Sequence, residues 1–390
     1  MPDGHLDRSH SPAVPTLRCR AALLALVACG GVLAACGGSE DGAALAPEGE
    51  AVLPVGHRPI EGFEVFESTT DAPDPIGHRL CAETASWDDP DAEKHDITCE
   101  LEGANLAAEA PDPDADHLLV MTWNLERNYE LDAEIAAFAD GTIPVPDVLL
   151  ASEVDRGCDR SDGVDGGWEL AEAVGLNYVF GVEFVEGARP EGAQDALSAP
   201  CEHGQAIFSR YPIGNVELFR HVNTGTDRWD DPDEPRIGTR ADLEADIAVG
   251  DRLVHVVSVH YDDQVTEAET AARAGQARVT AERGLDHDIP TVVGGDMNTA
   301  FYLMDATPTA ARAPAAKAFW DLGWHDTHVG IADRVTAPRE LAGSEVNAIV
   351  DLLWVRDPAT VSEQGWCDPA DCAAISDHLP QWFRWELPSA

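Results

Sequence analysis

The chain has 390 residues, 44% hydrophobic and 25% charged, which excludes a fibrous or fully disordered protein and allows one large domain or two ordinary ones. Its 25 basic residues face 72 acidic ones, giving a net charge of -47, and Lys94 and Lys317 are the only lysines. Such a surface repels polyanions at long range, so non-specific binding of nucleic acid is disfavoured; a strongly solvated surface is the simplest account of the charge.

Arg18 and Arg20 precede an Ala/Leu-rich run, Ala21 to Ala35, that is too short and too rich in Ala and Gly for a stable membrane-spanning helix. The run ends in Leu33-Ala34-Ala35-Cys36 and resembles the signal peptide and lipobox of bacterial lipoproteins. The resemblance implies that residues 1–35 are removed and that Cys36 is lipidated and anchors the chain to a membrane. With Gly at position 37, it points to the outer membrane or cell surface. The competing reading is an ordinary secretory signal that ends near a cysteine. Residues 36–75, rich in Gly, Ala, Pro and Glu, read as a tether, and residues 76–115, with Cys81 and Cys99, as an acidic extension that is either a small stapled unit or an irregular arm packed on the main domain. Residues 116–390 read as the folded domain.

Beyond Cys19, Cys29 and Cys36, the cysteines are Cys81, Cys99, Cys158, Cys201, Cys367 and Cys372. An even number in an exported chain suggests disulfides. Local pairing would join Cys81 to Cys99 and Cys367 to Cys372, leaving Cys158 for Cys201. The alternative, a zinc site, has no Cys-x-x-Cys or Cys/His ligand spacing behind it.

From Leu118-Leu119-Val120-Met121 onward, apolar runs of strand length alternate with helix-like stretches. Strands are expected at 118–121, 148–151, 178–184, 205–208, 253–260, 291–293, 349–355 and 381–385. Helices are expected at 132–139, 168–174, 267–283 and 310–321. Many strands with few intervening helices indicate an α/β protein with two packed mixed β-sheets flanked by helices. Gly294 and Gly295 suggest a tight turn after Val293.

Polar groups recur where these strands stop: Asn124, Glu153, His260, Asp296, Asn298, Asp351, Asp377 and His378. Singly, each could be a turn cap or a paired core residue. Together they would make an expensive core unless they served chemistry, because each buried acid or amide needs a partner or a metal. Carboxylate, carboxamide and imidazole groups suit attack on a phosphoester by an activated water.

The ordered set Trp123-Asn124-Leu125, Ser152-Glu153-Val154-Asp155-Arg156, Val259-His260, Gly295-Asp296-Met297-Asn298, Asp351 and Ser376-Asp377-His378 resembles the endonuclease/exonuclease/phosphatase family, the deoxyribonuclease I-like enzymes. Ala206-Ile207-Phe208-Ser209-Arg210-Tyr211-Pro212-Ile213 is similar to one of its strands. The resemblance implies a four-layer α/β sandwich and a Mg²⁺ ion held by Glu153, Asn124 and Asp377, with Mn²⁺ or Ca²⁺ as substitutes. It implies that Asp351 orients His378 as general base or phosphate ligand and that Asp296 positions or deprotonates the attacking water. Asn298 would donate to phosphoryl oxygens and His260 would be the general-acid candidate. Two departures stand out. The family's Gly-Asn-Ala reads Gly204-Gln205-Ala206 here, and Arg240 offers either a phosphate contact or a surface ion pair. The loops at 187–201 and 226–234, with Trp229, would set substrate choice.

The expected function is therefore hydrolysis of a phosphoester by an exported, metal-dependent, monomeric enzyme, with a small or lipid-linked substrate favoured over nucleic acid by the charge. An extracellular nuclease is the first alternative, and a surface lipoprotein that keeps the fold only to bind is the second.

Overall fold

The computed structural model describes residues 60–69, 97, 101–107, 111–189, 196–222, 225, 234–263, 266–299, 313–331, 334–341 and 344–387, all within one compact unit, Glu50–Ala390. The expected signal peptide, Cys36, Cys81, Cys99 and Trp229 lie outside the described residues. Strands β1–β5 are Glu102–Ala104, His117–Asn124, Val148–Arg156, Asn177–Glu186 and Cys201–Ser209. Strands β6–β10 are Ile213–Arg220, Arg236–Gly238, Ala241–Val249, Arg252–His260 and Thr291–Asp296. Strands β11–β16 are His325–Asp326, Ala337–Leu341, Ser344–Ala348, Asp351–Val355, Val361–Trp366 and Gln381–Glu386. The α-helices are α1 (Leu131–Asp140), α2 (Gly166–Val174), α3 (Glu267–Leu285), α4 (Pro314–Asp321) and the single turn α5 (Pro369–Cys372).

One sheet runs β1-β4-β5-β3-β2-β16-β15, with β7 also paired to β4, and the other runs β11-β14-β10-β9-β8-β6. Both are mixed: β2 is parallel to β3 and β9 to β10, and their other pairings are antiparallel. Leu118, Val120, Val148 and Leu150 of the first sheet meet Leu243, Val256, Val292 and Leu353 of the second in the central core. On the outer face of the first sheet, Trp123 lies edge-on to Phe138 of α1, with ring centroids 6.0 Å apart. On the outer face of the second, Trp354 stacks on Phe319 of α4 at 5.2 Å, beside Ala277 and Ala281 of α3. Helix, sheet, sheet and helix make the four layers expected from the sequence.

The strand period of two carries this pattern into the chemistry. On β2 the inward positions Leu118 and Val120 are continued by Thr122 and Asn124. On β9, Val254 and Val256 are continued by Ser258 and His260. Val292 on β10 leads to Asp296, and Leu353 on antiparallel β14 leads back to Asp351. The set of side chains that fills the core thus ends in polar groups at one end of both sheets.

Three readings are corrected by the structure. Gly294 and Gly295 lie inside β10 and form no turn. A Cβ on Gly294 would meet Leu353 Cδ2 at 2.5 Å, and Gly295 has φ 151 with Val259 O only 1.9 Å from where its Cβ would stand. The glycines therefore allow close approach of the neighbouring chain. The folded unit also begins before residue 116: β1 forms an edge of the first sheet, and Phe66 N donates to Ile213 O at 2.8 Å. Strands β1, β6, β7, β8, β11, β12, β13 and β15 are additional to those expected. Cys158–Cys201 and Cys367–Cys372 are disulfide-bonded, the local pairing that the spacing suggested. Among the described residues no helix is long and apolar enough to cross a membrane.

Candidate active site

Backbone irregularity aims the first carboxylate. Strand β3 loses register with β5 between Ala151 and Val154, and Glu153 there has φ 55. The bulge shifts the alternation by one residue, so Val154 stays in the outer core while Glu153 faces the cleft between the sheet ends. Glu126 (φ 44), Arg127 (φ 63), Asn128 (φ 53) and Asn298 (φ 47) are left-handed as well, and they cluster around the same cleft. Non-glycine residues held there store about 1–3 kcal/mol each, a concentration of strain typical of functional sites.

His378 and Asp351 form the tightest pair: Nδ1 lies 2.8 Å from Asp351 Oδ2, and Nε2 lies 3.7 Å from Asp296 Oδ2. Burial opposes the charge on His378, but Asp351 and Asp296 push its imidazole up to about 10, so the proton of the pair stays on the ring. Burial, followed by the charge of Asp296, raises the Asp351 carboxyl despite the neighbouring His378. The backbone of Asp351 is pinned by side chains the sequence reading did not find. Arg334 Nη2 and Gln381 Nε2 donate to its carbonyl at 3.2 and 2.7 Å, and Thr336 Oγ1 accepts its N–H at 3.1 Å. Ser376 Oγ donates to Asn124 O at 2.8 Å and Trp123 Nε1 to His378 O at 3.0 Å, which ties the last loop to β2.

His260 faces His378 across Asp296. Its Nε2 is 3.8 Å from both Glu153 Oε1 and Asp296 Oδ2. Arg240 Nη1 sits 2.8 Å from His260 Nδ1, and a guanidinium can only donate. Nδ1 therefore accepts, and the ring's proton is on Nε2, toward the cleft. Glu183 Oε2 is farther from Nδ1, at 3.6 Å, and is 3.4 Å from Arg240 Nη1. Arg240 is thus a buried partner of the histidine, with 4% of its surface exposed, and not a surface ion pair. Gln205 donates to Ala241 O immediately behind it, so the altered amide is directed at backbone rather than into the cleft.

Asn124 Nδ2 donates to Glu153 Oε1 at 3.1 Å and to Asp296 Oδ2 at 3.2 Å, while its oxygen accepts from Glu126 N at 3.0 Å. Asn298 N donates to Asp296 Oδ1 at 2.8 Å, and its amide donates to Tyr261 O. Asp377 is half-exposed at the rim, and its N–H donates to Glu126 Oε2 at 2.8 Å. The structure gathers all eight sequence-derived residues here: Glu153, His260, Asp296, Asn298, Asp377 and His378 line the cleft, and Asn124 and Asp351 are buried beneath it.

The cleft encloses about 660 Å³ and holds further residues that sequence reasoning missed: Glu126, Arg127, Glu186, Arg189, His203 and Arg236. Phe184 explains part of this wall. Arg236 lies 4.2 Å and Arg240 5.2 Å from its ring centroid, while His203 stacks on the same ring. His203 Nδ1 pairs with Asp155 Oδ1 at 2.8 Å, and Arg160 grips the same carboxylate at 2.6 Å. The Val-Asp-Arg stretch after Glu153 was the available signal for Asp155; Arg236 and Arg189 had none.

The donor set fits a hard divalent cation. Glu153 and Asp377 offer carboxylate oxygens without sulfur. Burial alone would raise Glu153, but the charge of Arg127 above all holds its carboxyl well below the ordinary carboxylate range, so it is ionised and able to ligate. Asn124 turns its NH₂ toward the carboxylates here, so ligation through its oxygen requires rotation of the amide.

Solved structures resemble the chain at low identity. An endonuclease/exonuclease/phosphatase from Beutenbergia cavernae is 20% identical over 71% of this chain and 73% of its own, with a TM-score of 0.49. An AP endonuclease from Archaeoglobus fulgidus is 17% identical over 69% of this chain and 100% of its own, at 0.48. A 3' phosphatase from Neisseria bound to product DNA hairpin is 17% identical over 69% of this chain and 99% of its own, at 0.47. No curated protein sequence matches. The profile of the Endonuclease/Exonuclease/phosphatase family matches residues 121–378, which span β2 to His378 and hence the whole constellation. The chain belongs to this family of metal-dependent phosphoester hydrolases.

Proposed function

We propose that the protein is an exported, Mg²⁺-dependent phosphoester hydrolase, anchored through lipidated Cys36, that acts on a small or lipid-linked phosphoester. The observation that carries the catalytic reading is the convergence of Asp351–His378, Asp296, His260 and Glu153 on one cleft from strands of both sheets. Glu153 and Asp377, with Asn124 after rotation of its amide, would hold the cation. When bound, it offsets phosphoryl charge and stabilises the leaving oxygen.

The chain's own groups do the rest. Asp296, fixed by the N–H of Asn298 and the amide of Asn124, orients the attacking water and receives its proton. His378, held at Nδ1 by Asp351, exchanges a proton or a hydrogen bond at the phosphoryl group through Nε2. His260 directs its Nε2–H into the cleft, where it can donate a hydrogen bond to the charge developing on a leaving oxygen, and Arg240 holds that tautomer. A cleft of about 660 Å³ matches a small ligand or headgroup. The arginines on its wall favour an anionic one, while the chain's -47 charge disfavours a long polyanion.

Residues 37–390 assayed on bis-p-nitrophenyl phosphate, sphingomyelin and plasmid DNA, with Mg²⁺ and then EDTA, test this reading. Turnover of the first two that EDTA abolishes is expected. Preferential cleavage of DNA would make the protein a nuclease, and binding without turnover a non-catalytic lipoprotein. A free Cys36 thiol in membrane-fraction protein, seen by mass spectrometry, would remove the anchor.

A further inference from the structure

The cleft holds a third imidazole to which the mechanism above gives no task. On β5, Ile207 fills the central core, and Gln205 on the same face reaches Ala241 O of the second sheet. His203 is the next residue on that face, so it leaves the core and lines the cleft. Asp155, its cross-strand neighbour on β3, meets Nδ1 at 2.8 Å. That carboxylate is fixed in turn by Arg160 Nε and Nη2, at 2.6 and 2.8 Å, and by Ser161 Oγ at 3.2 Å. Phe184, the neighbour on β4, stacks on the ring with centroids 6.3 Å apart. Both adjacent strands thus hold the ring, while its Nε2 makes no hydrogen bond among the described residues.

Three observations give this ring work to do. The first is its wiring. Arg240 donates to Nδ1 of His260, so that ring carries its proton on Nε2 and would become an imidazolate on releasing it. At His203 an acceptor, Asp155, faces Nδ1 instead. This ring can hold a second proton on Nε2, release it and remain a neutral imidazole. The second is its place. In-line displacement sets the leaving oxygen opposite the attacking water. His378 Nε2 lies 3.7 Å from Asp296 and hence on the water's side. Asn124 of β2 touches Asp296, and β5 stands two strands away from β2, about 10 Å across the sheet. That span takes a phosphoryl group with a hydrogen bond at each end. The third is its neighbour. His203 and His260 each present a ring nitrogen within 4.8 Å of the other, so a hydrogen-bond donor and a proton source adjoin.

We propose that His203, oriented by Asp155, is the general acid that protonates the leaving oxygen, an assignment that rests on the phosphoester reading above. As the bond between phosphorus and the leaving oxygen breaks, its electron pair stays on that oxygen, which takes the proton from His203 Nε2. The water oxygen bonds to phosphorus, and the water's proton passes to Asp296. His203 is left neutral with its Nδ1–H on Asp155, and exchange with solvent moves a proton from Asp296 back to Nε2.

A series of methyl aryl phosphates tests this role, because the phosphate part stays constant while the released phenol ranges from acidic p-nitrophenol to weakly acidic p-methoxyphenol. Wild-type protein and its His203→Asn and His203→Gln variants are assayed with Mg²⁺, each variant after its circular dichroism spectrum has been matched to the wild type. Asn keeps an amide donor near the position of Nδ1 for Asp155, Gln places one near Nε2, and neither releases a proton. In the variants kcat for the p-methoxyphenyl ester is expected to fall about 10²- to 10⁴-fold, and for the p-nitrophenyl ester at least about tenfold less, since p-nitrophenolate departs without a proton. Equal losses on the two esters in a folded variant, or no loss on either, would overturn the assignment. Wild-type protein inert toward every ester would overturn the phosphoester reading itself, and this role with it.

Discussion

Replacing Glu134 by Gln tests whether burial sets the electrostatics beneath the active site. Glu134 lies on α1 with no exposed surface; Asn128 Nδ2 donates to its Oε2 at 2.9 Å, and Oε1 has no hydrogen-bond partner among the described residues. Burial pushes the carboxyl up from the ordinary 4.5 to about 8, which only the hydrogen bond from Asn128 opposes. Between those pH values the unfolded chain has released the proton and the folded chain retains it. Stability from this group therefore falls as pH rises, and the loss is complete above about 8. At about 1.4 kcal/mol for each pH unit of displacement, the upper bound is about 5 kcal/mol. Gln reproduces the protonated form: its oxygen accepts from Asn128 and its amide replaces the Oε1 hydroxyl. In urea unfolding, Glu134→Gln should exceed the wild type by several kcal/mol near pH 9, with the gap closing toward pH 4. A variant no more stable than wild type near pH 9, or one with a constant advantage at both pH values, would refute the reasoning. Asn128 Oδ1 accepts from Asp155 N at 3.1 Å, so the same substitution should leave the cleft intact.

Other substitutions probe the site and its frame. His378→Ala and Asp296→Asn should each lower kcat by about 10²- to 10⁴-fold with an unchanged circular dichroism spectrum. Unchanged turnover in either would remove that residue from the mechanism. Arg240→Met frees Nδ1 of His260 to pair with Glu183, and should displace the pH–rate profile more than it alters KM; an unaltered profile would show that Arg240 does not set the tautomer. Gly295→Ala should cost more than about 3 kcal/mol, read from the thermal midpoint, because its Cβ would collide with Val259 O. Removing Cys158–Cys201, which closes 43 residues, should cost about 4 kcal/mol in urea unfolding, and a loss below 1 kcal/mol would contradict the loop-entropy account.

Much of the catalytic centre was legible because its residues terminate apolar strands, and an apolar run that stops at Asp296 or His260 is visible in one dimension. Strand β8 was not. Asp242, Glu244 and Asp246 alternate along it like a solvated edge, yet they are buried against His221, Arg283 and His255. Charge looks like exposure until the partners, distant in sequence, are known. Arg236 was hidden for a similar reason, since it joins the wall of the cleft while packing over Phe184 of another strand.

Local chemistry therefore determined the alternating cores, the four layers and the residue types delivered to the sheet ends, because hydrophobic period and strand length act over neighbouring residues. Tertiary structure alone decided which groups face one another. The bulge that turns Glu153 inward, the guanidinium that sets the tautomer of His260 and the pairing of His255 with His287 all arise from contacts between segments far apart in the chain, which no local pattern encodes.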